Sequence, residues 1–198
     1  MNLMPLRVAF FGTPAFAVPT LDALIASAHQ VVGVVTQPDR PRGRGQQVSE
    51  APVVARARTA GLPVLQPTRL KAPDFLEAFR AWGADIGVVA AYGRLLPQVL
   101  LDEPPMGLLN VHASLLPAWR GASPIQRAVL NGDAVSGVTI MRVVLALDAG
   151  PMLARVEVPI GPDDTSGTLE GRLAGAGATL LRETLEHHAA SRSAGRAR

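Results

Sequence analysis

The feature that most constrains the fold is a series of short apolar segments, each followed by a turn and then by a helical pattern. These segments lack the polar alternation of a strand that faces water, so each is predicted to be a strand buried on both faces. They are Arg7–Phe11, Gln30–Thr36, Leu62–Leu65, Ile86–Ala91 and Leu108–Val111. Their alternation with helices predicts an α/β fold, Rossmann-like and doubly wound, with a mostly parallel sheet and helices on both faces.

Helical patterns separate these strands, and two longer strands follow them. The predicted helices run from Pro14 to Ala28, from Ser49 (a candidate N-cap) to Ala60, from Pro73 to Trp82, from about Pro97, from Pro124 to Asn131 and from Thr165 to His188. The segments Gly137–Leu145 and Met152–Ile160 are expected to form an antiparallel extension of the sheet. Residues 1–188 are therefore predicted to be one domain, and the small, charged residues 189–198 a disordered tail.

Composition excludes several classes of protein. The chain contains no cysteine, no H-E-x-x-H motif and no cluster of carboxylates, so we expect neither disulfides nor a metal site. No apolar run is long enough to cross a membrane, and residues 1–7 do not resemble a secretory signal. We therefore expect a cytoplasmic protein. The turn after the first strand, Phe11–Phe16, is not a G-x-G-x-x-G sequence, which argues against a nicotinamide or flavin site.

The segment that carries most chemical information begins at Asn110. Residues two apart on a strand point to the same face, so Asn110 and His112 are expected to project together. An amide that donates hydrogen bonds beside an imidazole that moves protons suits acyl transfer, in which a carbonyl oxygen becomes negative. The spacing alone favours a simpler interpretation, a buried core histidine beside a turn asparagine.

Asp148 follows the first of the two longer strands, in the sequence Leu147–Gly150. A carboxylate in a loop at a strand end can orient an imidazole and stabilise its cationic form. Taken alone, Asp148 is more simply explained as an ordinary turn aspartate.

Together these residues resemble the Asn, His and Asp catalytic set of the folate-dependent formyltransferases. Seven segments carry the resemblance and narrow it to the methionyl-tRNA formyltransferases. They are FGTPAFA (11–17), TQPDRPRGRG (36–45), AYGRLLP (91–97), NVHASLLPAWRGASPIQ (110–126), GVTIM (137–141), LDAG (147–150) and DTSGTL (164–169). The resemblance extends from about Arg7 to Glu186.

The resemblance implies a reaction and roles for its residues. A formyl group passes from 10-formyl-tetrahydrofolate to the α-amino group of initiator methionyl-tRNA, which serves translation initiation. Asn110 binds the developing oxyanion, a cationic His112 adds electrostatic stabilisation, and Asp148 holds His112 and helps to accept the amine proton. Folate is expected to contact two segments, which comprise Tyr92, Gly93, Arg94 and Leu95, and Ser114, Leu115, Leu116 and Pro117. The role of Trp119 stays open between packing of its loop and shaping of the methionine pocket.

The loop 37–47 resembles an inserted loop that approaches the acceptor end of tRNA. Arginines there suit phosphate contacts, so Arg40, Arg42 and Arg44 are expected to bind tRNA. The chain has Gln46 and Gln47 where basic residues are common in the family. This difference lowers the expected electrostatic attraction to tRNA.

The chain ends soon after the predicted helix that closes near His188, where family members continue into a second domain. We therefore expect the C-terminal domain to be missing, with intact chemistry, weakened tRNA binding and a monomeric state. The alternatives are an amino-sugar nucleotide formyltransferase, a formyl-tetrahydrofolate hydrolase, and a folate-binding remnant without catalysis. The segments 36–45 and 119–126 disfavour the first of these.

Overall fold

The computed structural model describes residues 4–39, 41–42, 47–48 and 50–195, with backbone alone for 41–42, 47–48 and 191–195. Its strands are β1 Arg7–Gly12, β2 Gln30–Val35, β3 Pro41–Arg42, β4 Gln47–Val48, β5 Val64–Leu65, β6 Ile86–Ala90, β7 Leu108–His112, β8 Val135–Arg142 and β9 Met152–Pro159. Its helices are α1 Val18–Ile25, α2 Pro52–Thr59, α3 Pro73–Ala81, α4 Gln98–Leu101, α5 Pro124–Leu130 and α6 Ser166–Gly195. A 3₁₀ turn, Ala15–Ala17, precedes α1.

The main sheet has seven strands in the order β5-β2-β1-β6-β7-β8-β9. The five strands from β5 to β7 are parallel, and β8 and β9 add antiparallel. From β1 the chain builds outwards through β2 to β5 and then returns to place β6 on the other side of β1. This reversal makes a crevice at the carboxyl ends of β1 and β6, where ligands bind in doubly wound sheets.

Buried side chains form a hydrophobic cluster on each face of the sheet. Alternate residues of β1 go to opposite sides: Val8 and Phe10 pack with α1, α2 and α6, whereas Ala9 and Phe11 pack with α3 and α4. The parallel strands are therefore buried on both faces, as their unbroken apolar runs predicted. The doubly wound, mostly parallel fold is confirmed.

Some predicted elements have other bounds in the structure. The strand expected over Gly137–Leu145 is β8 Val135–Arg142, so Val143–Leu145 belong to the loop after it. Helix α2 begins at Pro52 with Ala51 at the N-cap position, whereas we expected Ser49, which lies outside the described residues. Helix α6 continues to Gly195, beyond the end expected at His188. The disordered tail predicted for 189–198 is thus wrong for 189–195, because Ala189 is buried in the core cluster and extends the apolar face of the helix.

Candidate active site

A cleft of about 610 Å³ opens at the carboxyl edge of the parallel strands. Four parts of the chain line it: the turn after β1, the segment after β6, the end of β7, and the loop between β8 and β9. The amino-terminal part of α5 and one residue of α6 complete its wall. The cleft lies beside the crevice that the strand order creates, so the topology itself positions it.

Asn110 and His112 both line this cleft from β7. They are two residues apart on a strand that pairs with β6 on one side and β8 on the other. Asn110 is half-buried, and its side chain makes no hydrogen bond to any described residue. Its amide can therefore donate to a ligand in the cleft, from a strand that the sheet holds on both sides.

His112 is buried, with 6% of its surface exposed. Its Nε2 lies 3.3 Å from the carbonyl oxygen of Trp119, and its Nδ1 lies 3.7 Å from Oδ2 of Asp148. Both partner atoms are hydrogen-bond acceptors, so each ring nitrogen faces an acceptor. The distance to Asp148 is longer than a hydrogen bond.

Asp148 reaches the cleft from the loop between β8 and β9. The Gly121 backbone N–H donates a hydrogen bond of 2.8 Å to its Oδ2. Its φ of 46° is in the left-handed region, which few non-glycine residues adopt. The structure thus brings Asn110, His112 and Asp148 together in one cleft, and their catalytic roles stay predictions.

The segment after β6 also lines the cleft, through Tyr92, Gly93, Arg94 and Leu95. The Arg94 guanidinium donates to the carbonyl oxygens of Pro67 and Thr68 at 3.0 and 3.1 Å, and its contact with folate stays a prediction. Burial raises the pKa of the Tyr92 hydroxyl above its ordinary value, although the nearby Arg94 opposes this effect. Tyr92 therefore stays neutral and contributes mainly through its backbone and its packed ring.

The second expected folate segment, Ser114–Pro117, does not line this cleft. The Ser114 Oγ donates to the Ala118 carbonyl oxygen at 2.6 Å, and the Leu116 N–H donates to the Thr139 hydroxyl at 3.1 Å. Leu115 packs close to Gly137 of β8. In this structure the segment holds the loop after β7 against β8, and its contact with folate stays a prediction.

Several lining residues were not singled out from the sequence. The loop Val143–Leu147 contributes a continuous apolar wall, and Val144, Leu145 and Leu147 are exposed. Phe16 and Glu170 line the cleft as well. The signal that could have identified the loop is an apolar run between two strands that ends at the Asp148 turn.

Trp119 does not line the cleft. Its indole Nε1 donates a hydrogen bond of 2.7 Å to the Asp133 carboxylate, while its carbonyl oxygen faces His112. Trp119 therefore anchors its loop, and a role in shaping the methionine pocket stays a prediction.

The arginines expected to bind tRNA are less fully described. Arg42 belongs to β3, which pairs with β4 in a short antiparallel ribbon, and Arg40 and Arg44 lie outside the described residues. Among the residues that the structure describes, no group of three or more His, Asp or Glu side chains could hold a metal ion. In the same part of the chain, no helix combines the length and apolar character needed to cross a membrane.

Comparison with known proteins adds sequence and fold relatives. A sequence profile described as formyl transferase matches residues 6–185. A methionyl-tRNA formyltransferase of Methylococcus capsulatus is 54% identical over 190 residues, which cover 96% of this chain and 62% of that relative. The corresponding protein of Pseudomonas syringae pv. tomato is 55% identical, with 87% and 55% covered. The chain thus spans about three-fifths of the length of these relatives.

Solved structures show the same fold. A phosphoribosylglycinamide formyltransferase from Brucella melitensis has a TM-score of 0.74 and 28% identity, over 94% of this chain and 97% of that one. A phosphoribosylglycinamide formyltransferase from Anaplasma phagocytophilum has a TM-score of 0.80 at 22% identity, over 95% and 89% of the two chains. The second likeness concerns the fold alone.

Proposed function

The chain belongs to the formyl transferase family, and from that premise we propose that it transfers a formyl group from 10-formyl-tetrahydrofolate to the α-amino group of initiator methionyl-tRNA. The observation that carries this proposal is the convergence of Asn110, His112 and Asp148 on one cleft. Relatives more than 50% identical are named for formyl transfer to methionyl-tRNA, and the folate donor is the one that the sequence resemblance implies. The product would serve translation initiation in the cytoplasm, with the protein acting as a monomer.

The proposed chemistry begins with attack of the amine nitrogen on the formyl carbon. The carbonyl oxygen becomes an oxyanion, towards which the free Asn110 amide donates and which a cationic His112 stabilises. Asp148 holds His112 in place and helps to accept the proton that leaves the amine. The bond between the formyl carbon and the folate nitrogen then breaks, and that nitrogen takes a proton. Fixed donors in a mostly apolar cleft suit this charge development.

The cleft wall suits a flat, largely apolar donor. The Tyr92–Leu95 backbone borders one side and the apolar loop Val143–Leu147 another. The folate donor would lie against these two segments, with its formyl group directed towards Asn110. The acceptor end of tRNA would approach from outside the cleft, where Arg40, Arg42 and Arg44 of the loop 37–47 could contact phosphates.

The test is formyl transfer from 10-formyl-tetrahydrofolate to methionyl initiator tRNA, with hydrolysis of the donor followed in the same reaction. We expect Asn110→Ala to lower kcat by roughly two to three powers of ten, as the loss of one oxyanion donor does. Asp148→Asn should also lower kcat, because it removes the negative charge opposite Nδ1 of His112. Gln98→Ala is the matched control, since Gln98 is an exposed amide outside the cleft.

Each other outcome has a distinct meaning. Unchanged transfer in Asn110→Ala would refute the proposed oxyanion role. Transfer to water alone, dependent on Asn110, would identify a formyl-tetrahydrofolate hydrolase. Folate binding without any turnover would identify a non-catalytic remnant, and transfer to an amino-sugar nucleotide in preference to methionyl-tRNA would identify a sugar formyltransferase.

A further inference from the structure

Glu170 is a charged residue of the cleft that has no role in the formyl transfer proposed above. Arg94, His112, Asp148 and Glu170 all line the cleft. Arg94 donates to two backbone carbonyls, and His112 and Asp148 face each other. Glu170 is half-buried, and within the described part of the chain it makes no hydrogen bond or ion pair. Its carboxylate is therefore available to a ligand.

The position of Glu170 assigns it to one side of the cleft. It follows the buried Leu169 at the start of α6, on the face of the sheet where Phe16 and Ile125 belong to the core cluster. Tyr92 belongs to the cluster on the opposite face. If the donor lies along Tyr92–Leu95 as proposed, Glu170 is on the wall that is left for the acceptor.

An unpaired carboxylate in a mostly apolar cleft favours a particular kind of ligand. When a ligand displaces water from such a group, binding is weakened unless the ligand brings a cation or hydrogen-bond donors. A free α-amino group has a pKa of about 7.7–8.0, so at neutral pH it is largely an ammonium cation. An ammonium group supplies both a positive charge and three donors.

We propose that Glu170 is an acceptor-specificity residue that binds the ammonium form of a primary amine, an inference that rests on the proposed function. The amine binds charged, loses its proton towards the Asp148 side of the cleft, and then attacks the formyl carbon. The same carboxylate disfavours acceptors that carry a phosphate beside the amine. It would repel the phosphate, and the described residues that line the Glu170 side of the cleft include no arginine or lysine to bind it. Glu170 thereby contributes to the choice of acceptor without taking part in the bond changes.

Two variants isolate the charge of Glu170. Glu170→Gln keeps the shape of the side chain and removes the charge. Glu183→Gln makes the same change on the same helix at an exposed position outside the cleft, and it is the matched control. Equal thermal unfolding of the two variants and the wild type would establish that α6 is intact in all three.

The kinetic experiment measures KM for methionyl initiator tRNA at about pH 6.5 and about pH 8.5. At the lower pH we expect Glu170→Gln to raise KM about fivefold, as the loss of a partly exposed charge pair would. At the higher pH, where the amine is mostly neutral, the difference should nearly vanish. The kcat and the KM for the folate donor should stay at their wild-type values, the pattern for lost ground-state binding. An unchanged KM at both pH values would overturn the proposal and leave the transferase function standing.

A second measurement does not depend on turnover. Methioninamide, a small primary amine, is titrated into each protein and followed by NMR line broadening at the same two pH values. We expect wild type and Glu183→Gln to bind it more tightly at the lower pH, and Glu170→Gln to lose that preference. Equal binding by all three proteins, or no binding by the wild type, overturns the Glu170 proposal. Absence of transfer with intact Glu170-dependent binding would refute the proposed function alone.

Discussion

Replacing Gly150 with alanine should displace the loop that carries Asp148. A Cβ atom built at Gly150 would lie 1.9 Å from the carbonyl oxygen of Arg142, where ordinary contacts begin at 3.4 Å. Arg142 cannot give way easily, because β8 pairs with β7 at this point and its N–H donates to the Pro151 carbonyl. The loop that contains Gly150 must therefore move away from Arg142 by more than about 1 Å.

This movement should affect both activity and stability. A displacement of about 1 Å in a catalytic group can lower a rate about a hundredfold, so we expect a comparable loss of formyl transfer in Gly150→Ala. Overpacking of this kind costs about 2 kcal/mol of unfolding free energy, which lowers Tm by roughly 4–8 °C in a chain of this size.

Gly171→Ala is the matched control for Gly150→Ala. Gly171 lies in α6, and a Cβ there would meet nothing within 4 Å. Because alanine is the better helix former, we expect this variant to gain about 0.5–1 kcal/mol of stability and to keep wild-type transfer. Initial rates and thermal unfolding by circular dichroism check both variants. A Gly150→Ala protein with wild-type rate and Tm would refute the close approach of the two backbone segments.

Two further predictions concern His29 and Trp119. Burial lowers the pKa of His29 below its ordinary value of 6.5, with nearby Glu186 partly opposing, and its Nδ1 accepts the Leu6 N–H. Below pH 6.5 the unfolded chain therefore binds more protons than the folded chain, so the stability that is present above that pH is lost as the pH falls. Between about pH 7.5 and 5.5 the Tm of the wild type should drop more than the Tm of His29→Gln. Equal drops in the two proteins would contradict this prediction. Trp119→Phe loses the hydrogen bond to Asp133, which should lower the free energy of unfolding, measured in urea, by about 1 kcal/mol. The transfer rate should also fall, because the Trp119 carbonyl faces His112. Unchanged stability would show that the indole does not anchor the loop.

The parallel sheet could be predicted from the sequence because its signal is local. Each strand is an unbroken apolar run bounded by a turn, and burial on both faces is what such runs require. The shared orientation of Asn110 and His112 follows from strand periodicity in the same way. The joining of Asp148 to this pair depended on a family resemblance, because nothing local in 147–150 indicates a partner almost forty residues earlier in the chain.

What could not be predicted depends on contacts between distant segments. The bonds from Ser114 to Ala118 and from Leu116 to Thr139, which hold the segment Ser114–Pro117 against β8, have no local sequence signal; the contact of this segment with folate stays a prediction. The end of α6 was placed too early because the residues after His188 are small and charged, and only packing of Ala189 into the core shows why the helix continues. Glu170 has no distinctive sequence pattern, and only the fold brings it to the cleft.

Backbone strain in the described residues is concentrated around the cleft. The non-glycine residues with left-handed φ angles are Ala91 at 46°, Trp119 at 56°, Ser123 at 58° and Asp148 at 46°. Three of them line the cleft, and the carbonyl of Trp119 faces His112. Such conformations cost about 1–3 kcal/mol each and persist only where surrounding contacts hold them. All four therefore need the rigid sheet and its hydrogen-bonded loops.

The three residues of the proposed catalytic set are held by two different kinds of backbone, a strand and a loop. Asn110 and His112 are fixed by a strand that is paired on both sides. Asp148 stands on a loop that is held by the Gly121 N–H, by a turn bond from Ala149 to Ala146, and by close packing of Gly150 against Arg142. The separation of 3.7 Å between His112 and Asp148 is thus set by a paired strand on one side and a packed loop on the other. Catalytic hydrogen bonds often tighten only when substrate binds, and a donor that packs against Val143–Leu147, as proposed, would contact the loop that carries Asp148.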